Sequence, residues 1–153
     1  MKRVLFVCLG NICRSPLAEG ILNYRLAKSE NLSVQVDSCG TSRYHIGEQP
    51  DPRTRKNAQN NGIKLYHKAR QLEPHDFKDF DYLLAMDKSN LENMKRVGGF
   101  FEHEDKIFLL RDFDPHFPGA DVPDPYFGGE RGFQEVFEII ERSVINFCNS
   151  HLI

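Results

Sequence analysis

Residues 4–16 constrain the fold more than any other stretch. Val4-Leu5-Phe6-Val7-Cys8 is an unbroken apolar run containing β-branched and aromatic residues, which suits a strand buried on both faces of a parallel sheet. The run stops abruptly at Leu9-Gly10-Asn11, a glycine-containing turn. Ser15-Pro16 then reads as a helix start, with serine as cap and proline at the first helical position, and Leu17, Ala18, Ile21 and Leu22 share one face of the helix that follows. Strand, tight loop and helix in immediate succession place Cys8 at the carboxyl end of a strand, where open α/β sheets bind their ligands.

The same alternation continues downstream. Residues 33–38 alternate as a second strand, and residues 53–61, closed by Gly62, read as a short polar helix. Apolar runs at 82–86 and 107–110 supply two further strands. Between them Ser89 and Glu92 have capping-box spacing, which predicts a helix ending near Gly98-Gly99. Phe133, Val136, Phe137, Ile140 and Val144 form one stripe of a C-terminal helix. This order predicts one α/β domain over residues 1–153, a three-layer doubly wound sandwich with a parallel sheet and helices on both faces. Segments 39–52 and 111–129 are long, rich in Gly, Pro and Asp, and without periodicity, which marks them as candidate functional loops.

Composition narrows the classes of partner. A net charge of −2 and a pI near 6.3 give no basic field of the kind that nucleic-acid binding requires. The N-terminal apolar run is too short for a secretory leader, and no stretch approaches the roughly 20 apolar residues of a membrane span. The expectation is a cytoplasmic chain with reduced thiols, binding neither nucleic acid nor membrane. Cys8, Cys13, Cys39 and Cys148 include no C-x2-C pair, so neither a metal nor another cofactor is expected. Cys39 and Cys148 read as small buried hydrophobes.

Within Cys8-Leu9-Gly10-Asn11-Ile12-Cys13-Arg14-Ser15 a thiol and a guanidinium stand six positions apart across a loop that feeds a helix N-terminus. Backbone N–H groups in such a turn form an anion nest, and the helix dipole adds positive potential. Gly10 and Asn11 both tolerate the left-handed angles that a concave loop demands. The same field favours a thiolate at Cys8. Arg14 offers a planar fork for two phosphoryl oxygens, and Ser15 is placed to donate a hydrogen bond to the thiolate. The ATP-binding pattern G-x4-G-K-[ST] is absent.

On these residues the chain resembles the low-molecular-weight protein tyrosine phosphatases. Val7 to Pro16 resembles their signature almost letter for letter. The likeness continues through Asp37-Ser38, Pro50-Asp51-Pro52-Arg53, His67-Lys68-Ala69-Arg70-Gln71, Ala85-Met86-Asp87 and Asp124-Pro125-Tyr126. The resemblance implies a four-stranded sheet in the order 2-1-3-4. It also implies metal-independent hydrolysis of phosphotyrosine in proteins, and of small aryl phosphates, through a cysteinyl-phosphate intermediate. Inorganic phosphate would be both product and competitive ligand. Cys8 would be the nucleophile and Arg14 the phosphate clamp, with Leu9, Gly10, Asn11, Ile12, Cys13 and Ser15 completing the phosphate loop.

Expelling a phenoxide requires a carboxyl that first donates a proton and later activates water. Asp112, Asp114, Asp121 and Asp124 are all available, and spacing alone does not rank them. Pro123 and Pro125 restrict the backbone around Asp124, and the resemblance selects it as the acid. The resemblance further implies Tyr44 and Tyr126 as pocket walls, and Ser38 and His67 as partners that hold Asn11. Leu9 and Ile12 complete the apolar lining. Asp87 reads as a helix cap or packing residue without chemistry. Cys13, in the same loop as Cys8, is a candidate disulfide partner for an oxidised nucleophile. Where some members carry a second tyrosine that serves as a regulatory phosphorylation site, this chain has Phe127.

Three other readings compete. A phosphoarginine-specific branch resembles this loop but has Thr where this chain has Ile12. Arsenate reductases on the same scaffold use further cysteines in the middle of the chain, and residues 40–147 contain none. A non-catalytic phosphotyrosine-binding module would be expected to lack the nucleophile or the acid, and both are present.

Overall fold

The computed structural model of the protein describes residues 1–30, 33–126 and 129–153. Its centre is a sheet of four parallel strands in the order β2-β1-β3-β4: β1 (Lys2–Cys8), β2 (Val34–Gly40), β3 (Tyr82–Ala85) and β4 (Ile107–Leu109). The register aligns Val7 with Cys39 on one side and with Ala85 on the other. The ends of these three strands therefore form one rim. Val4 to Val7 are wholly buried, as a strand covered on both faces requires.

Alternate side chains of β1 divide the core. Val4, Phe6 and Cys8 face α1 (Arg14–Lys28) and α5 (Glu130–His151), packing with Leu17, Ile21, Phe137, Ile140 and Phe147. Leu5 and Val7 face the other layer, where Phe77 of α3 (Pro74–Asp79) and Met94 of α4 (Lys88–Met94) close the core with Phe100. Ala58 of α2 (Pro52–Asn60) joins the first layer. The fold is thus the expected three-layer α/β sandwich. All five apolar residues of the C-terminal stripe are buried.

Three local expectations are corrected. Helix α1 begins at Arg14 with Cys13 in the cap position, so Ser15 does not cap it. Pro16 still falls in the first turn, where no intrahelical acceptor awaits its missing N–H. Helix α4 is capped by Asp87, whose side chain accepts from the Asn90 amide at 2.6 Å, in place of Ser89, and it stops at Met94 rather than near Gly98. Helix α3 had no sequence signal, because six residues are too few to establish a period.

No helix among the described residues is long and apolar enough to cross a membrane.

Candidate active site

Leaving β1, the chain turns through residues 9–13 and enters α1. The carbonyls of Cys8, Leu9 and Ile12 are held from outside by the amides of Thr41, Ser42 and Asp51 at 2.8–2.9 Å. In a trans peptide the next N–H points the opposite way, so the amides of Gly10 and Cys13 turn toward the concave side. Asn11 adopts φ 57°; Gly10 does not use the left-handed region that the sequence suggested for it. Gly40, at the end of β2, lies under the turn, and a Cβ there would meet Leu9 O at 2.6 Å. That position has room only for glycine.

The thiol of Cys8 sits at the bottom of the turn. Its Sγ receives the Asn11 amide at 3.2 Å and lies 2.9 Å from Ser15 Oγ. The direction of the second bond follows from the neighbours. Ser15 Oγ accepts from Asn11 Nδ2 at 2.8 Å, which leaves its one hydrogen for Cys8 Sγ or for Cys39 O at 3.4 Å. The shorter contact is to sulfur. Asn11 Nδ2 also donates to Ser38 Oγ at 3.0 Å, while its Oδ1 accepts from His67 Nε2 at 2.6 Å and from the Arg70 amide at 3.0 Å. Ser38 and His67 therefore stand where Asn11 uses them, holding a left-handed residue from both ends of its amide.

Arg14 is buried and already oriented. Its Nη1 donates to Asp87 Oδ2 at 2.7 Å and to Val122 O at 2.9 Å, which uses both hydrogens on that nitrogen. The opposite edge, Nε and Nη2, is the side-on fork suited to two anionic oxygens. Burial opposes the cation, but Cys8 and the Asp87 carboxylate more than offset it and hold the guanidinium charged. Asp87 is thus both the α4 cap and the partner of Arg14. The latter contact was not readable from sequence, since the two residues lie on different elements.

A cavity of about 220 Å³ opens above the loop, lined by Cys8, Leu9, Gly10, Ile12, Cys13, Arg14, His45, Asp124 and Tyr126. Of the four candidate acids only Asp124 lines it. Its Oδ2 is 3.9 Å from Arg14 Nη2 and its Oδ1 accepts from the Tyr126 amide at 3.0 Å. The others are engaged elsewhere: Asp112 accepts from the Leu109 amide, Asp121 from the Lys88 amide, and Asp114 is buried between Arg111 and Arg142.

Tyr126 forms one wall, with Arg53 lying 5.2 Å over its ring and donating to its carbonyl at 2.8 Å. Arg53 is in turn paired with Asp51, the cap of α2, so this helix fastens the Asp124 segment to the loop. Tyr44, expected as the other wall, does not line this cavity. It is 84 % exposed. The turn over residues 43–47, closed by Gly47 at φ 85°, presents the next residue instead: His45 Cδ2 would lie 3.0 Å from a Cβ on Gly10, and His45 Nδ1 pairs with Glu48 at 2.8 Å. The loop has no periodicity from which this orientation could have been read.

Cys13 lines the cavity beside Cys8, and both are free thiols. Burial pushes the Cys13 thiol up to about 12, against a lowering contribution from Thr54. It stays protonated, contrary to what an electropositive loop suggests. Phe127 lies outside the described residues.

Glu19, Asp37 and Arg70 were also absent from the sequence reading of the site. Glu19 accepts from Ser38 Oγ at 2.7 Å and lies 3.1 Å from His67 Nδ1, and Asp37 pairs with Arg70 at 2.9 Å. Glu19 did carry a signal: it stands one helical turn after Ser15, on the same face of α1.

The family model described as "Low molecular weight phosphotyrosine protein phosphatase" matches residues 3–152. A protein of that name from Schizosaccharomyces pombe is 44% identical over 150 residues, covering 97% of this chain and 96% of its own. A crystal structure of a protein tyrosine phosphatase from Entamoeba histolytica, with Hepes in the active site, superposes with a TM-score of 0.91. It is 38% identical and covers 98% of this chain and 96% of that one. A Drosophila arginine phosphatase structure superposes with a TM-score of 0.87 at 33% identity, covering 100% of this chain and 99% of that one.

Proposed function

The chain belongs to the low molecular weight phosphotyrosine protein phosphatase family, and we propose that it hydrolyses phosphotyrosine in proteins, and small aryl phosphates, by way of a phosphorylated Cys8. The observation that carries this reading is the convergence on one cavity of Cys8 Sγ, the side-on edge of Arg14 and the carboxyl of Asp124. A thiolate below, a bidentate cation at the side and a carboxyl above are the groups that in-line displacement at phosphorus needs.

In the first step Cys8 Sγ attacks phosphorus as the phenolic oxygen leaves, and Asp124 gives that oxygen its proton. Arg14 Nε and Nη2, with the amides of the loop, hold the equatorial oxygens whose charge the transition state spreads. In the second step Asp124 takes a proton from water attacking the phosphocysteine, and the Ser15 hydroxyl stabilises the departing thiolate. Inorganic phosphate leaves, and the same cradle lets it compete with substrate. The groups that perform each step all belong to this chain. Tyr126, Leu9 and Ile12 enclose an aryl ring, so a short phosphoserine falls out of reach of the loop. A single domain over residues 1–153, a cytoplasmic setting in which Cys8 stays reduced, and the absence of nucleic-acid or membrane partners belong to the same reading.

Phosphate release from a phosphotyrosine peptide, with chelator present, tests it against Cys8→Ser and against a matched phosphoserine peptide. Release confined to the native chain and to phosphotyrosine is the expected result. Turnover that survives in Cys8→Ser places the chemistry elsewhere, and none in reduced native protein leaves a binding module. The likeness to the Drosophila arginine phosphatase supports a second reading, hydrolysis of phosphoarginine. A phosphoarginine peptide in the same assay separates the two, and Ile12 favours the aryl substrate.

A further inference from the structure

Behind the phosphate loop, on the side away from the cavity, three elements bring together side chains that the proposed hydrolysis does not use directly. Glu19 comes from α1, Asp37 from β2 and His67 from the segment leading to Arg70. His67 Nδ1 is 3.1 Å from Glu19 Oε1 and 3.5 Å from Asp37 Oδ1. One ligand atom from each residue falls within 4.8 Å of the others. We propose that Glu19, Asp37 and His67 form a binding site for a divalent cation of the zinc type, linked to the phosphate loop through Asn11.

The separations suit such an ion. Zinc binds imidazole nitrogen and carboxylate oxygen at about 2.0–2.2 Å, so neighbouring ligands of a tetrahedral site stand about 3.4 Å apart. The two contacts of Nδ1 bracket that value. The outer partners also match. A metal-bound histidine donates its other N–H to an oxygen that fixes the ring, and His67 Nε2 meets Asn11 Oδ1 at 2.6 Å. The carboxylates are held in turn, Glu19 by Ser38 Oγ and Asp37 by Arg70 Nε. A groove of about 300 Å³, lined by Glu19 and His67 together with Tyr24, Ile63, Leu65 and Tyr66, gives an approach from solvent. His67 itself is nearly covered, with 9 % of its side chain exposed. Paired cysteines or histidines, the usual sequence signals of a metal site, are absent because the three ligands come from separate elements.

Binding here bears on the loop. An ion on Nδ1 fixes the ring whose Nε2 holds Asn11, so cation affinity and anion affinity at the loop change by the same factor. That coupling rests on the phosphate-binding reading of the loop, whereas the cation site does not.

Equilibrium dialysis against Zn²⁺ in phosphate-free buffer tests the site directly. One zinc per chain is expected in both the native protein and Cys8→Ser, and at least tenfold weaker binding in Glu19→Gln and Asp37→Asn, two near-isosteric variants. Native affinity in both variants overturns the proposal. So does loss of binding in Cys8→Ser, which puts the ion on the nucleophile, or no binding at all, which leaves a proton alone between the carboxylates. Co²⁺ gives an independent reading, because a thiolate-to-cobalt charge-transfer band is inconsistent with an N/O ligand set. Phenylphosphonate then tests the coupling. A change in zinc affinity matched by an equal change in phosphonate affinity is expected, and independence of the two removes the link while leaving the site.

Discussion

Oδ1 of Asn11 lies 2.6 Å from Nε2 of His67, so a residue in the middle of the phosphate loop is held by one that lies outside it, in a separate segment. The same oxygen receives the Arg70 amide, and the side-chain Nδ2 of Asn11 donates to Ser15 Oγ and Ser38 Oγ. Four contacts thus stabilise a backbone at φ 57° that an ordinary side chain adopts only at a cost of about 1–2 kcal/mol.

Backbone strain and side-chain tethering at Asn11 can be separated. Asn11→Ala suffers both losses, and its catalytic efficiency on an aryl phosphate is expected to fall by roughly 10- to 100-fold, with a lower melting temperature. Asn11→Gly removes the strain and not the loss of tethers. Thermal unfolding should therefore recover toward native in the glycine variant while kcat/KM stays low. Full catalytic recovery would show that only the backbone angle matters.

Contrasts between what was and was not legible have a physical pattern. The strand at Val4–Cys8 was readable because a strand covered on both faces is an unbroken apolar run, and the stripe from Phe133 to Val144 because burial repeats with the period of a helix. The loop was readable because a thiol, a glycine and an arginine lie close in sequence. The contact of Asp87 with Arg14, the place of His45 and helix α3 were not. Asp87 serves Arg14 across the sheet from another element, and His45 rather than Tyr44 reaches the cavity because Gly47 closes a turn with no period. Helix α3 is shorter than two turns. Asp87 also shows why a correct local reading misleads: it is a cap, and its second oxygen does something else.

That dual use makes Asp87 a separable test. Its Oδ1 caps α4 and its Oδ2 orients Arg14. Asparagine caps nearly as well as aspartate but carries no charge. Asp87→Asn should keep the α4 cap but lose the charged partner of a buried guanidinium, at a cost of about 3–5 kcal/mol, and inhibition by inorganic phosphate should weaken several-fold because the guanidinium fork is no longer held. Asp87→Ala should lose the cap as well, at about 1 kcal/mol. Unchanged phosphate inhibition in both variants would show that Val122 O alone positions Arg14.

Asp124 is the carboxyl that lines the cavity, and a general acid matters in proportion to how poor the leaving group is. Asp124→Ala is expected to lower turnover of phosphotyrosine by roughly 10²–10⁴-fold, and formation of the phosphoenzyme from an activated aryl phosphate by much less. Steady-state and burst kinetics over a series of phenols give the comparison. Equal losses across the series would remove the assignment.

We propose Cys13 as the thiol that traps an oxidised Cys8. A Cys8 sulfenic acid reacting with the Cys13 thiol forms the disulfide and releases water. Because burial pushes Cys13 up to about 12, its thiolate fraction rises about tenfold per pH unit below that value. Disulfide closure after peroxide treatment should therefore speed up with pH across the alkaline range, followed by mass spectrometry. In Cys13→Ser, inactivation should resist reversal by thiols. Native-like recovery in that variant would show that another group protects Cys8.

Acid stability depends on a pair of arginines far from the loop. Asp114 is wholly buried, accepting from Arg111 Nε at 2.9 Å and from Arg142 Nε and Nη2 at 2.9 and 3.1 Å. Burial alone would raise its pKa, but Arg142, the His116 amide and Arg111 outweigh burial and hold the carboxyl well below the usual range. An unfolded aspartate titrates near 3.9. A group depressed on folding contributes its full stability above that value, and the contribution disappears as pH falls below about 4 toward the folded-state pKa. Denaturant unfolding should accordingly show ΔG falling between about pH 4 and pH 2, with a shallower fall in Asp114→Asn. The same variant leaves two guanidinium groups facing a neutral amide, one of them buried, which costs about 3–5 kcal/mol at neutral pH. For a chain of this size that corresponds to a melting temperature lower by on the order of 10 °C. An Asp114→Asn protein with native stability at pH 7 would show that water, rather than this carboxylate, satisfies Arg111 and Arg142.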